Sequence, residues 1–333
     1  MTEARDAMNA GTVTPHRLDH LLQGCSRTFA LTIPLLHEPT RCEVTVAYLL
    51  FRVADIFEDS TLWPGPRKQA ELEGLARFLE DPSPGAAEVL AAAWEADPPV
   101  AVPGHRELLV EFPAVMLAAR TVSPRAWRLV STYSARTCRA MSSFVARERN
   151  GILRLADLDD LRAYCYAVAG IVGEMLTELF LLGSESLGPV ASRMREDAAS
   201  FGEALQLVNI LKDRSTDASE GRFYLPENLD PAEVFALARR DLATAARYCA
   251  RLERAGSDKG IVSFTALPLL LARATLDRVD RQGPGAKVSR DDVAALLKLL
   301  HEAVGRNAVA ALLERAEGEG PETEGRETPS PSQ

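Results

Sequence analysis

The sequence predicts an all-α protein that folds as a single helical domain. Between Leu18 and Ala316, apolar residues recur at spacings of three and four, which is the period of a helix with one buried face. Alternating apolar and polar runs bounded by turn residues, the pattern of strands, are scarce. Hydrophobic residues make up 47% of the 333 residues, which is enough to build the core of one compact enzyme-sized body.

The spacing predicts ten helices, over residues 18–36, 40–60, 66–80, 105–119, 124–149, 157–183, 190–216, 231–254, 260–280 and 290–316. Stretches rich in proline at 81–85 and 97–104 enclose a short alanine-rich segment, and we expect surface loops there. The charged run 66–73 is expected to form a solvated helix face. The domain should therefore cover residues 18–316, between a flexible tail at 1–17 and a disordered tail at 317–333 that is rich in Glu, Gly, Pro and Ser.

Composition excludes several classes of function. A formal net charge of −9 argues against sequence-independent binding of nucleic acid, which needs basic clusters. The five cysteines are scattered and form no C-x-x-C pair, so we expect reduced thiols in a cytoplasmic protein. No signal sequence opens the chain, and no apolar run reaches the roughly 20 residues that cross a bilayer, so no permanent membrane anchor is expected.

The predicted helix at 40–60 carries a polar stripe. Tyr48, Arg52, Asp55 and Asp59 follow one another at spacings of four, three and four, so they share one face. The remaining faces are apolar, which predicts a buried helix whose carboxylates need partners. Glu58 lies off this stripe, and we expect it to be structural or to support the stripe from behind.

The predicted helix at 190–216 repeats the arrangement. Gln206, Asn209, Asp213 and Asp217 are spaced by three, four and four on an otherwise apolar segment. If the two stripes face each other, four carboxylates would repel strongly unless a cation lay between them. Magnesium fits a site made only of oxygen ligands, because it uses few carboxylates and completes its shell with water and phosphate oxygens. The remaining phosphate charge would be neutralised by nearby cationic side chains, namely Arg52, Lys212, Arg214 and Arg222.

A single acidic motif of this kind is more often a solvated helix end than a metal site. Two such motifs, each on an apolar helix with Arg or amide side chains on the same face, favour the metal site. A helical scaffold that buries both stripes as polar networks remains the non-enzymatic alternative.

Six segments resemble the squalene and phytoene synthase family, in that family's order. They are the acidic motifs Asp55–Asp59 and Asp213–Asp217, together with Ser26–Phe29, Tyr164–Gly173, Gly221–Pro226 and Phe264–Leu276. The resemblance covers about residues 20–300, and the last of the six segments is most like squalene synthase. It implies an isoprenoid synthase-type helical bundle around a central apolar cavity.

The resemblance also implies roles for individual residues. Magnesium would be held by Asp55, Asp59, Asn209, Asp213 and Asp217, with Gln206 assisting. Two prenyl diphosphates would be contacted by Ser26, Arg27, Phe29, Tyr48, Arg52, Gln206, Asn209, Arg222 and Tyr224. Tyr164 matches the family tyrosine that steers the carbocation and its proton loss. From the residues alone, a core tyrosine is the more common interpretation of Tyr164.

The activity implied is head-to-head condensation of two farnesyl diphosphates to presqualene diphosphate, followed by reduction to squalene with NADPH. Lys287 and Arg290 lie where squalene synthases carry a basic segment that contacts NADPH, but their spacing departs from the usual Lys-x-Arg. The alternatives are phytoene or dehydrosqualene synthesis without NADPH and, more distantly, a terpene cyclase. Because the implied product is an apolar hydrocarbon and no membrane anchor is expected, we predict that the protein associates transiently with the inner membrane face, through the apolar mouth of its pocket.

Overall fold

The computed structural model describes residues 15–227 and 229–318, and helices account for most of them, which confirms the predicted fold class. In the first half of the chain the helices are α1 (Pro15–Cys25), α2 (Phe29–Thr32), α3 (Thr40–Glu58), α4 (Gly65–Glu80), α5 (Ala86–Ala96), α6 (Pro103–Val110), α7 (Phe112–Ala119) and α8 (Pro124–Val145). In the second half they are α9 (Leu158–Cys165), α10 (Ile171–Gly183), α11 (Ala191–Ser219), α12 (Pro231–Arg254), α13 (Lys259–Gln282), α14 (Arg290–Gly305) and α15 (Val309–Gly318). Short 3₁₀ turns cover Ile33–Leu35 and Glu185–Val190.

Several predicted helices are interrupted. The segment predicted at 18–36 is broken after Cys25, and the one at 290–316 is broken near Asn307, which adopts the left-handed conformation with φ of 51°. Residues 15–17 belong to α1 rather than to a tail, and residues 1–14 and 319–333 of the two predicted tails lie outside the described residues. Between α9 and α10 the chain forms a π-helical turn at Tyr166–Gly170.

One helix was not predicted. The alanine-rich segment expected to lie among surface loops forms α5, consistent with alanine being the best helix former. Its Trp94 is fully buried, with its ring centroid 5.0 Å from that of Phe57 and 5.0 Å from that of Phe112. The indole N–H donates to Glu71 at 2.8 Å, so this segment is part of the core.

Helix α11 lies at the centre of the bundle and packs against α10, α12 and α13, while α3 packs against α8 and α4. Two glycines bring α10 and its π-helical turn close to α11. A Cβ at Gly202 would lie 2.0 Å from the carbonyl oxygen of Ala169, and a Cβ at Gly173 would lie 2.1 Å from that of Ala198. No larger residue fits at these contacts without a backbone shift.

Two short strands are the only ones among the described residues. Strand β1 (Leu153–Arg154) pairs in parallel with β2 (Arg222–Phe223), with Leu153 opposite Arg222. This pairing ties the loop after α8 to the loop after α11.

Two helical segments, Leu158–Gly183 and Lys259–Gln282, are long and apolar enough to cross a membrane by length and composition. Charged residues interrupt both segments, so neither is an uninterrupted apolar run of about 20 residues, and the expectation of no permanent membrane anchor stays a prediction. In their most apolar windows, 56% and 67% of the residues are buried inside the protein, as in the core helices of a soluble protein. All five cysteines are free, in agreement with the expectation of reduced thiols.

Candidate active site

A cavity of about 450 Å³ lies between α3, α10, α11 and α13. Its apolar wall comes from side chains in the middle of the bundle: Ile33, Val44, Phe51, Val168, Val172, Met175, Leu176, Phe201, Leu205, Ile210, Phe264 and Pro268. Its charged lining comes from the C-terminal halves of α3 and α11 and from the loop after α11. The volume falls in the range of small-molecule sites, and the lining is apolar with a charged region.

Helix α3 places its whole predicted stripe on the cavity wall. Arg52 lies 3.3 Å from the carboxylate of Asp55 and donates to the hydroxyl of Tyr48 at 3.0 Å. Asp55 keeps 31% of its side chain exposed, and that exposure opens into the cavity. Asp59 follows the last turn of α3 and caps it with its backbone N–H.

Helix α11 places its own stripe on the same cavity: Gln206, Asn209, Asp213 and Asp217 all line it. Lys212 lies 3.1 Å from the carboxylate of Asp213 and donates to the side-chain oxygen of Asn209 at 3.3 Å. Asp59 on the opposite side contributes to the electrostatic field at Asp217, so the two stripes face each other across the cavity.

Arg222 spans from the loop after α11 to the end of α3. Its guanidinium lies 3.2 Å from the Asp59 carboxylate, donates to the Asp59 carbonyl, and forms an ion pair with Glu220 at 2.7 Å. The β1–β2 pairing fixes the backbone from which this side chain projects. Strand pairing therefore fixes the backbone of Arg222, and the contacts with Asp59 and Glu220 hold its guanidinium.

Two of the four aspartates, Asp55 and Asp217, are held in an environment that disfavours negative charge and raises their pKa. Burial, reinforced by the charge of Asp59, raises the pKa of Asp55 to about 6 although Arg52 opposes the shift. Burial and the charge of Asp213 raise the pKa of Asp217 to about 7. A bound cation would relieve both effects.

These residues fit a magnesium ion by their chemistry. Within the described residues, no group of three His, Cys, Asp or Glu side chains could hold a metal as it stands. Magnesium needs only one or two protein carboxylates and takes its other ligands from water and substrate oxygens. Carboxylates spread over two facing helices match that requirement.

Tyr164 lies at the cavity in a hydrogen-bonded group with Glu58 and Tyr224. The Tyr164 hydroxyl is 3.1 Å from Glu58 Oε1 and 2.9 Å from the Tyr224 hydroxyl. The two tyrosine rings are stacked with centroids 4.5 Å apart, and Phe144 packs edge-on against Tyr164 at 5.2 Å. Burial and the charge of Asp59 raise the pKa of Glu58 to about 8.

The predicted contacts in the segment after α1 divide into two groups. Phe29 lines the cavity and packs its ring 5.1 Å from that of Tyr48. Ser26 accepts a hydrogen bond from the backbone N–H of Phe29 at 2.9 Å, and Arg27 is exposed. Neither Ser26 nor Arg27 belongs to the cavity lining of the described chain.

Lys287 and Arg290 are exposed and lie outside the cavity lining. Their segment is nevertheless attached to the helix that bears the second stripe. The backbone N–H of Gly285 donates to the carbonyl of Lys212 at 2.7 Å, and Arg278 donates to the carbonyl of Lys287 at 2.8 Å.

Two residues next to the site were not assigned to it from the sequence, which gave Glu58 only a structural or supporting role. Glu58 lines the cavity and contacts Tyr164, a contact that helical spacing within α3 cannot reveal. Lys68 was expected on a solvated face but is 5% exposed, with its ammonium 2.6 Å from Glu148 and 3.0 Å from the Glu58 carbonyl. An acidic residue just before Asp59 was the only signal for Glu58.

Comparisons with known proteins agree with this geometry. The squalene/phytoene synthase family model matches residues 22–229. The squalene synthase of Eremothecium gossypii is 26% identical over 284 residues, which cover 80% of this chain and 62% of that protein. The squalene synthase of Rattus norvegicus is 28% identical over 277 residues, which cover 77% of this chain and 61% of that protein. The matches thus span about three fifths of these relatives.

Among solved structures, TcSQS in complex with the ligand E5700 aligns with a TM-score of 0.70 and 24% identity, over 91% of this chain and 96% of that one. TcSQS in complex with BPH1237 aligns with a TM-score of 0.69 and 23% identity, over 93% of each chain. These likenesses establish the all-helical isoprenoid synthase fold. The match of the family model over most of the chain establishes more: the chain belongs to the squalene/phytoene synthase family.

Proposed function

We propose that the protein condenses two farnesyl diphosphates head to head, with magnesium, to presqualene diphosphate and reduces this intermediate to squalene with NADPH. The observation that carries the proposal is one cavity in which two facing carboxylate stripes adjoin a long apolar wall. A diphosphate matches the charged part, and prenyl chains match the apolar part. Squalene synthases among the relatives of this chain support the same reaction.

In this proposal Asp55, Asp59, Asp213 and Asp217 hold magnesium, with Asn209 completing the ligand set. Bound there, magnesium would neutralise the charge of the departing diphosphate. Arg52, Arg222 and Lys212 already lie beside these carboxylates and would donate to diphosphate oxygens as the substrate enters.

The rest of the cavity protects and guides the reacting carbons. When the carbon–oxygen bond to diphosphate breaks, the allylic cation must be kept from water, which the apolar wall excludes. Phe29 and Phe51 offer ring faces to that cation. A carbon–carbon bond then forms, and one proton is lost as the cyclopropane closes. We assign the Tyr164 hydroxyl to steering the cation and receiving or relaying that proton.

Reduction to squalene would require NADPH, whose phosphates need cations. Lys287 and Arg290 are exposed cationic side chains on a segment attached to α11 just before Asp213. We propose that they contact the NADPH phosphates.

Product analysis tests the proposal. Purified protein is incubated with farnesyl diphosphate and magnesium, with and without NADPH, and the products are identified by mass spectrometry. Squalene with NADPH and presqualene diphosphate without it are expected. Formation of dehydrosqualene with or without NADPH, or of phytoene from geranylgeranyl diphosphate, would contradict the proposed reduction and favour a synthase that does not use NADPH. No turnover of either substrate would favour the scaffold alternative.

The metal assignment has its own test. Asp55→Asn and Asp213→Asn should each lower the rate of diphosphate release by about 100-fold or more, because each removes charge stabilisation of the leaving group. Asp159→Asn, an exposed aspartate on α9, is the matched control. Unchanged turnover at saturating magnesium in both site variants would contradict the assignment.

We also propose that the protein is cytoplasmic and meets the inner membrane face only transiently, because its product is an apolar hydrocarbon. Sedimentation with anionic lipid vesicles should recover a minor, salt-sensitive fraction of the protein. Quantitative recovery that resists high salt would contradict transient binding.

A further inference from the structure

Glu58 is the last residue of α3, between the two carboxylates assigned to the metal, but its side chain contacts a different partner. Its Oε1 is 3.1 Å from the Tyr164 hydroxyl, and the residue is only 6% exposed. Tyr164 and Tyr224 are equally enclosed, at 2% and 6% exposed. The three groups come from α3, α9 and the loop after α11, so the tertiary fold brings them together.

The hydrogen-bonding capacity of the Tyr164 hydroxyl determines how this group is arranged. A phenol has one proton and two lone pairs. Tyr164 can therefore donate this proton either to Glu58 Oε1 at 3.1 Å or to the Tyr224 hydroxyl at 2.9 Å, and a carboxylate is the stronger acceptor of the two. Donation to Glu58 leaves the lone pairs of the Tyr164 oxygen free to face the cavity. Ring stacking fixes the plane of Tyr164 but leaves the hydroxyl rotation free, so only an acceptor such as Glu58 can fix it.

The acceptor is itself held in place. The Lys68 ammonium donates to the backbone carbonyl of Glu58 at 3.0 Å and contacts Glu148 at 2.6 Å. Lys68 is buried and does not belong to the cavity lining, so this contact holds the end of α3 from outside the cavity. A buried side chain on a fixed backbone can define the position of another group far better than an exposed one.

We propose that Glu58 is a positioning residue for Tyr164 rather than a ligand of the metal. It takes the Tyr164 proton in a hydrogen bond and so turns a lone pair of the phenol oxygen toward the cavity. That is the orientation the oxygen needs to stabilise a cation or accept a proton. The inference rests on the proposed function, because it concerns the same cavity and the same reaction.

A double-mutant cycle in the full-length protein tests the inference. The variants are Glu58→Ala, Tyr164→Phe and the two combined, assayed with farnesyl diphosphate over a range of magnesium concentrations. If Glu58 acts through Tyr164, Glu58→Ala lowers kcat by about tenfold or more, and the double variant is no slower than Tyr164→Phe. The magnesium concentration that gives half-maximal rate stays within about twofold of the wild-type value.

Glu58→Gln separates positioning from metal binding, and it also serves if the alanine variant does not fold. Glutamine keeps an acceptor oxygen but loses the charge that a metal ligand requires. It should restore most of kcat and leave the magnesium requirement unchanged. Glu43→Gln replaces an equally buried glutamate on the same helix, outside the cavity lining of the described residues, and controls for the loss of a buried acid.

The outcomes are distinct. A several-fold higher magnesium requirement in Glu58→Gln would show a metal ligand, and rate losses that multiply in the double variant would show that Glu58 acts independently of Tyr164. Either result would overturn the inference while the proposed function stands. An inactive wild-type protein would overturn the proposed function and the inference with it.

Discussion

Replacing Lys68 by methionine removes the ammonium group that donates to the Glu58 carbonyl at the end of α3. Lys68 and Glu148 are 6% and 11% exposed in their side chains, and their charged atoms are 2.6 Å apart. Removing one partner of a buried ion pair leaves the other charge buried without a partner, which lowers the free energy of unfolding by about 3–5 kcal/mol. An unfolding entropy of ~2.1 cal/mol/K per residue over about 300 folded residues converts this into a fall in Tm of about 5–8 °C.

Differential scanning fluorimetry of the metal-free protein measures the effect. Lys68→Met combined with Glu148→Leu should recover most of the lost Tm, because an apolar pair of similar volume can replace a buried ion pair at little cost. Lys298→Met, at an exposed lysine on α14, should change stability by less than ~0.5 kcal/mol. A fall of less than about 2 °C in the single variant, or equal falls in the single and double variants, would refute the reasoning.

Three further predictions concern packing, pH and the reductive step. Gly202→Ala should lower Tm and weaken binding of a farnesyl diphosphate analogue, because the new Cβ would lie 2.0 Å from the Ala169 carbonyl oxygen. Gly188→Ala is the control, because a Cβ there would meet no atom within 4 Å. Equal Tm values for the two variants would contradict the prediction. Burial raises the pKa of Glu43 above its usual 4.5, so the folded state loses stability as pH rises from below 4.5 through the higher folded pKa. Glu43→Gln should therefore gain Tm relative to wild type at pH 7.5 but not at pH 4, and a pH-independent difference would be inconsistent with this shift. Lys287→Ala should raise the apparent KM for NADPH and leave diphosphate release from farnesyl diphosphate unchanged; an unaltered KM would remove Lys287 from the NADPH site.

Helical periodicity accounts for what the sequence predicted about the cavity. Asp55 and Asp59, like Asp213 and Asp217, lie four residues apart, so their common face follows from local geometry alone. Whether the two stripes face each other depends on tertiary packing, which the sequence alone does not determine.

What the sequence did not reveal depends on contacts between distant segments. Lys68 lies in a charged run typical of a solvated face, and its partner Glu148 is 80 residues away. Glu58 contacts Tyr164 across 106 residues, and its spacing within α3 placed it off the polar stripe. Helix α5 was missed because its flanking prolines and glycines suggested loops, although Trp94 packs it into the core.

The π-helical turn at Tyr166–Gly170 lies between the helix that carries Tyr164 and the helix that carries Val172. Such a turn accommodates one residue more than an α-helical turn. If the same residues closed as a regular α-helix instead, the extra residue would rotate α9 against α10 by about 100°. Tyr164 would then leave the wall it shares with Val172 and lose its contacts with Glu58 and Tyr224. The extra residue taken up by this turn therefore sets the angular phase of the tyrosine relative to the cavity.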